Sequence, residues 1–203
     1  MEIETLQVGQ LNANCYLVYD ENSKEAIIID PGEDTEYITS EISKLNINPR
    51  KIIATHGHSD HVLSAGELQL IYGIDFLIHK KDKFLVKRLK ETIKKYYQDI
   101  DMFVAPSITR HIKQGGVINI GNQNLKVIDL PGHTPGSIGL HLEELNICFV
   151  GDVVFADGFI GRTDFHYSSS EDLSKSIDKL KSFPEETVFY PGHGTEFSNI
   201  VLN

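Results

Sequence analysis

Apolar residues along this chain fall into short runs separated by turn residues, with stretches of helical spacing between some of them. Ile3 to Val8, Cys15 to Tyr19 and Ala26 to Ile29 come first, divided by Gly9-Gln10-Leu11-Asn12 and Glu21-Asn22-Ser23-Lys24, and they predict antiparallel strands. Asp30-Pro31-Gly32 ends the third. Ile38, Ile42 and Leu45 then share one helical face, which predicts a helix over Glu36 to Leu45 with Asp34 or Thr35 as its N-cap. Asn46 to Pro49 reads as a loop and Lys51 to Ala54 as a buried strand. Ser64 to Tyr72 reads as a short helix with Leu68 and Ile71 inward, and Asp75 to Ile78 as a strand. Leu85, Leu89, Ile93 and Tyr96 recur at three to four residues, the pattern of an amphipathic helix.

Strands follow at Ile108 to Ile112, Val117 to Ile120 and Leu125 to Asp129, then a hairpin of Ile138 to Leu142 with Asn146 to Val150 around Glu143-Glu144. Ser169-Ser170-Glu171-Asp172 is a capping-box pattern, opening a helix with Leu173, Ile177 and Leu180 on one face. Thr187 to Tyr190 is the last expected strand. No low-complexity linker cuts the chain. The expectation is one α/β domain over residues 1–203, with two sheets packed face to face and helices outside.

Composition narrows the class. With 203 residues, 40% hydrophobic and 24% charged, the chain has the make-up of an ordinary soluble globular domain. No run of about 18 apolar residues is present to span a membrane. Met1-Glu2-Ile3-Glu4 lacks the basic and apolar regions of a signal peptide, so a cytoplasmic location is expected. Cys15 and Cys148 sit among apolar neighbours and read as buried free thiols. A net charge of −10 argues against general nucleic-acid binding. Lys80 to Lys95 runs against that balance, with eight basic residues facing only Asp82 and Glu91. It is the best candidate for an element that meets an anionic substrate, the alternative being a solvated helix face.

The chemistry starts where the Lys51 to Ala54 strand ends. Thr55-His56-Gly57-His58-Ser59-Asp60-His61 holds three imidazoles and a carboxylate in six residues, a crowding that gives no packing benefit and that a metal explains. Side chains two apart in an extended segment point the same way, so His56 and His58 can grip one ion, while Asp60 and His61 turn toward a second. Three later segments each set one ligand beside glycine: Gly132-His133, Gly151-Asp152 and Gly192-His193. His56, His58 and His133 make one site, Asp60, His61 and His193 the other, and Asp152 can bridge them. Imidazole with carboxylate suits two divalent ions, zinc foremost, with iron or manganese as other fits.

The order H-x-H-x-D-H, Gly-His-Thr-Pro-Gly-Ser (132–137), Gly-Asp (151–152) and Pro-Gly-His-Gly (191–194), over nearly the whole chain, resembles the metallo-β-lactamase superfamily. The opening from Gly9 to Val18 and Asp30-Pro31-Gly32 match its N-terminal half as well. The resemblance implies a four-layer αβ/βα sandwich with its metals at one edge. Because zinc β-lactamases typically lack the bridging carboxylate at Asp152, the pattern is more similar to the hydroxyacylglutathione hydrolases (glyoxalase II group), in a short single-domain form. That implies a metal-dependent thioesterase, with Asp60 as catalytic residue and a small anionic thioester as substrate.

In that group a Gly followed by Arg or Lys contacts the glutathione carboxylate, a role that falls here on Arg162; pairing of Arg162 with Asp164 or Asp157 is the structural alternative. Two departures weigh against glutathione itself. The chain ends ten residues after His193, leaving no room for the helical domain that grips glutathione, and Asp164 stands where a tyrosine is expected. Gly161-Arg162-Thr163-Asp164-Phe165 is also similar to persulfide dioxygenases, which implies a single iron held by His58 or His56, His133 and Asp152. A metal-stabilised module without turnover is the remaining alternative, and a full set of seven ligands speaks against it. His79, His111, His141 and His166 match no ligand position.

Overall fold

The computed structural model describes residues 1–96 and 103–202. Strands β1 (Glu2–Val8), β2 (Ala13–Tyr19), β3 (Glu25–Ile29), β4 (Asn48–Ile53), β5 (Asp75–His79) and β6 (Ile108–Ile112) form the first sheet in that order. The first three pair antiparallel through tight turns, and β3 to β6 run parallel. Parallel neighbours need crossover connections. Here the crossovers carry α1 (Thr35–Leu45), α2 (Ala65–Tyr72) and α3 (Lys83–Tyr96). The second sheet is β7 (Val117–Ile120), β8 (Gln123–Asp129), β9 (Ile138–Leu142), β10 (Ile147–Gly151), β11 (Val188–Pro191) and β12 (Phe197–Ser198). Only β10 and β11 pair parallel in it, and α4 (Ser170–Lys181) makes that crossover.

Alternation along the strands sorts the apolar residues into three cores. Between the sheets, Tyr16, Val18, Ile27, Ile29, Ile53 and Leu77 of the first meet Leu125, Val127, Ile138, Leu140 and Phe149 of the second. The opposite face of the first sheet packs on Ile38, Ile42, Leu68, Val86, Leu89 and Ile93 of its helices. Leu173 and Leu180 of α4 cover the back of the second. The result is the expected αβ/βα sandwich of four layers. Cys15 and Cys148 are buried free thiols. Among the described residues no helix is long and apolar enough to cross a membrane.

Several local expectations change. The N-cap position of α1 is Asp34, in a left-handed conformation, and neither it nor Thr35 caps by side chain, because the Asp34 carboxylate accepts the Gly9 N–H at 2.8 Å instead. In α2 the buried positions are Ala65, Gly66 and Leu68, and Ile71 is 55% exposed. In α3 the buried stripe is Val86, Leu89 and Ile93, with Tyr96 66% exposed and Leu85 half-buried. β4 begins at Asn48, inside the expected loop. β11 is not the last strand, since the two-residue β12 pairs on it.

The α4 capping pattern holds: Ser169 Oγ accepts the Asp172 N–H at 3.1 Å. Ser169→Ala is expected to lower unfolding stability by about 1 kcal/mol in urea titrations, with the slope unchanged.

Two backbone bonds tie the sheets together at one edge. Ile138 N–H donates to Thr55 C=O at 2.9 Å, and Asn14 N–H donates to Gly192 C=O at 2.8 Å. The segments that leave β4, β8, β10 and β11 meet there.

Candidate metal centre

Past β4 the chain bends at Thr55 and His56, so the motif is not one extended segment; it is extended at His58 (φ −69°, ψ 151°) and then makes one 3₁₀ turn over Ser59–His61. That turn divides the motif. The ligand atoms of His56, His58 and His133 lie within 4.8 Å of one another, and so do those of Asp60, His61 and His193. Asp152 stands between the two sets. Its Oδ2 is 3.6 Å from His133 Nε2, 3.6 Å from His193 Nε2 and 4.0 Å from His56 Nε2. Its Oδ1 is 3.5 Å from His61 Nε2. Asp60 Oδ2 lies 3.4 Å from the Nε2 atoms of both His61 and His193.

These spacings fit a divalent ion at the centre of each set. Tetrahedral bonds of 2.0–2.1 Å put donors about 3.3 Å apart. The Nε2 atoms of His56 and His61 and Oδ1 of Asp152 are buried without a hydrogen-bond partner. An orphaned buried polar atom costs about 1–3 kcal/mol. Three around one point are what bound cations would relieve.

The outer nitrogens explain how the rings are aimed. His133 Nδ1 meets Arg162 C=O at 2.9 Å and His193 Nδ1 meets Leu11 C=O at 3.2 Å. His61 Nδ1 faces Asp30 Oδ2 at 3.2 Å. His56 Nδ1 faces Thr55 Oγ1 at 3.1 Å, and that hydroxyl donates to Asp30 Oδ2 at 2.6 Å. A carbonyl, a carboxylate or a hydroxyl whose proton is committed can only accept, so each of these four rings carries a proton on Nδ1, and its neutral form turns a lone pair inward at Nε2. His58 is inverted: Nδ1 faces His133 Nε2 at 2.9 Å, and Nε2 meets the Tyr167 hydroxyl at 2.8 Å.

The two sets differ in charge. Burial disfavours a proton on His61, but the facing Asp60 and Asp152 carboxylates outweigh it and hold its pKa well above the usual value. His193 is likewise raised to about 9, burial being overcome by its bonds to Asp152 and Asp60. Burial pushes both carboxylates up, yet His61 beside them holds each below the ordinary range. Across the cleft, burial followed by the neighbouring His133 pushes His58 down to about 3, and burial keeps His56 well below the usual imidazole value. Protons on His61 and His193 thus stand where a cation would, and binding one releases them.

Supporting residues were not singled out by spacing. Asp30 forms a further potential ligand group with His56 and His61, but its oxygens are taken by the Thr55 N–H, the Thr55 hydroxyl and His61 Nδ1, so it orients rather than binds. Only the resemblance pointed to its Asp-Pro-Gly segment. Asp82, one of two acids in the basic stretch, is buried and accepts from Gly57 N–H, Gly136 N–H and the Thr134 hydroxyl at 2.7–2.9 Å. It ties the loop bearing His56 and His58 to the loop bearing His133. Asp82→Ala strands three donors at about 1–3 kcal/mol each. A loss of roughly 3 kcal/mol or more is expected for the metal-free protein in urea titrations.

Arg162 reaches this edge through its carbonyl. Its guanidinium pairs with Asp164 at 3.0 and 2.8 Å, the structural alternative, and lies over the Phe165 ring at 4.7 Å. Phe165 stacks on Tyr167 with centroids 5.2 Å apart, Phe84 of α3 meets Tyr167 at 5.2 Å, and Arg88 lies over Phe84 at 5.6 Å. The basic helix therefore joins the centre through one arginine and an aromatic wall. His79, His111, His141 and His166 lie in none of the ligand groups found among the described residues.

A model of the metallo-beta-lactamase superfamily matches residues 8–193. The hydroxyacylglutathione hydrolase GloC of Haemophilus influenzae is 36% identical over 198 residues, 96% of this chain and 92% of its own. A crystal structure of the BLEG-1 B3 metallo-beta-lactamase superposes with a TM-score of 0.89 at 27% identity, over 98% of this chain and 95% of the other. One of TTHA1623 in a di-iron-bound form gives 0.87 at 28% identity, over 98% and 96%.

Proposed function

Because the chain belongs to the metallo-β-lactamase superfamily, we propose that it is a hydrolase working through two divalent ions, zinc or zinc with iron, on a thioester such as an S-(2-hydroxyacyl)glutathione or a related thiol ester. The observation that carries this reading is the Asp152 carboxylate, set between two complete ligand triads with one oxygen toward His61 and the other toward His56, His133 and His193. The likeness to a protein described as a hydroxyacylglutathione hydrolase supports the thioester, and the di-iron form of TTHA1623 supports two ions. A single-iron dioxygenase would need only His58 or His56, His133 and Asp152, and would leave the Asp60, His61 and His193 triad without a task.

Held by His56, His58 and His133 and by Asp60, His61 and His193, with Asp152 between, two such ions would supply a water activated toward a pKa of about 7 and a Lewis acid for the substrate carbonyl. Asp60, facing the gap between His61 and His193, accepts a hydrogen bond from that nucleophile and aims it. The leaving thiol has a pKa of roughly 8.5 and departs as thiolate, so the reaction needs no general acid. Arg88, at one end of the aromatic wall, offers cationic charge to an anionic carrier, and Arg162 at the other end would do so by giving up its pair with Asp164.

The test is metal content by elemental analysis of protein purified without added metal, with S-lactoylglutathione hydrolysis on the same sample. About two ions per chain with turnover is the expected result. One iron per chain, no turnover and oxygen uptake with glutathione persulfide would replace this reading with the dioxygenase. Two ions with turnover of a β-lactam alone would remove the thioester. Arg162→Ala and Arg88→Ala are each expected to raise KM for the anionic thioester roughly 3- to 10-fold with kcat little changed, and to leave an uncharged thioester unaffected.

A further inference from the structure

Five imidazoles turn a nitrogen toward the centre, and four have outer partners that can only accept a proton. His58 is the exception. Its outer partner is the Tyr167 hydroxyl, which can donate or accept. The choice matters because Nδ1 of His58 is the inward atom, 2.9 Å from His133 Nε2. If the phenol donates to Nε2, the ring must carry its proton on Nδ1, pointing into the site. If the phenol accepts, Nε2 holds the proton and Nδ1 offers a lone pair, the state that an ion held between His58 Nδ1 and His133 Nε2 requires; without an ion, the 2.9 Å contact of these two nitrogens takes its proton from His58 Nδ1.

The geometry points to Tyr167 as a positioning residue for the His56, His58 and His133 set: its hydroxyl accepts from His58 Nε2–H, fixes the ring's tautomer and orientation, and so sets the affinity of that one metal position. The phenol is held for this. Phe165 stacks on it at an interplanar angle of 7°, and Phe84 closes on it edge-on. The same loop grips the neighbouring ligand at both ends, since Arg162 C=O receives His133 Nδ1–H and the Ser168 hydroxyl donates to His133 C=O at 2.7 Å. One short segment, 162–168, thus orients two of the three ligands. In the other set, His61 and His193 take their outer partners from Asp30 and Leu11, outside this segment. The effect is therefore expected at one metal position and not at both.

This inference rests on the two-ion reading of the site and not on the substrate. The experiment is a Co²⁺ titration of the metal-free full chain against a competing chelator, following the visible ligand-field bands, for wild type and Tyr167→Phe. Phenylalanine keeps the ring and its stacking, so the melting temperature of the metal-free protein serves as the control for folding. Wild type should take up about two ions per chain. Tyr167→Phe should bind one of them about 10- to 100-fold more weakly, with a shifted band for that ion, while the other ion and the metal-free melting temperature stay unchanged. Unchanged affinities and spectra for both ions would overturn the role of Tyr167 and leave the two-ion reading standing. Equal weakening of both ions would also overturn it. A wild type that binds no ion would sink the two-ion reading, and the Tyr167 inference with it.

Discussion

Asp152→Asn should lower kcat/KM for thioester hydrolysis on the order of 10³-fold, the equivalent of about 4 kcal/mol of transition-state stabilisation. The size follows from position: the Asp152 carboxylate lies within 4.0 Å of inward nitrogens from both triads. Asparagine keeps the shape and removes the charge that offsets two cations. Elemental analysis should then show fewer than two ions retained through gel filtration. A variant that keeps both ions and loses less than tenfold in kcat/KM would show that Asp152 is not a bridging ligand.

Gly192→Ala should cost on the order of 10²-fold in kcat/KM although it removes no ligand. The backbone at Gly192 lies outside the left-handed region, so alanine is conformationally acceptable there. Space is the difficulty. A Cβ at this position would sit 2.0 Å from Asp152 Oδ1 and 2.9 Å from His61 Cε1. The carboxylate can escape only by rotating out of the gap between the triads. Near-native circular dichroism with reduced metal content and activity is the expected combination. Full activity with both ions bound would show that the site tolerates displacement of this carboxylate oxygen.

The candidate ligands were legible in sequence because metal chemistry is demanding about residue type: four crowd into six residues after β4, and His133, Asp152 and His193 each follow a glycine, where the backbone can turn. His56, His58, Asp60, His61, His133, Asp152 and His193 converge for that reason. The layers were legible because strand alternation and helix spacing report burial directly. What escaped depends on neighbours far along the chain. Asp34 resembles an N-cap in its own helix, yet the Gly9 N–H 25 residues away takes its carboxylate. Ile71 and Tyr96 fit a helical stripe, but the sheet lies against Leu68 in one helix and Val86, Leu89 and Ile93 in the other. Asp82 read as a stray acid among lysines, because the three donors it satisfies belong to residues 57, 134 and 136. Two-residue β12 carries no period at all.

The ligands also divide by sheet. His56, His58, Asp60 and His61 leave the first, while His133, Asp152 and His193 leave the second. Each ion would therefore be gripped from both halves of the sandwich and would act as a staple across the seam that Ile138–Thr55 and Asn14–Gly192 close by hydrogen bonds alone. Pulling the halves apart at this rim would mean surrendering two ions at once. Mass action then makes the seam as tight as the ions are plentiful, adding about 4 kcal/mol for each ion when the free metal is a thousand times its dissociation constant. Chelation should accordingly raise amide exchange first at Ile138 and Asn14, well before the sheet centres at Ile28 and Leu140 begin to open.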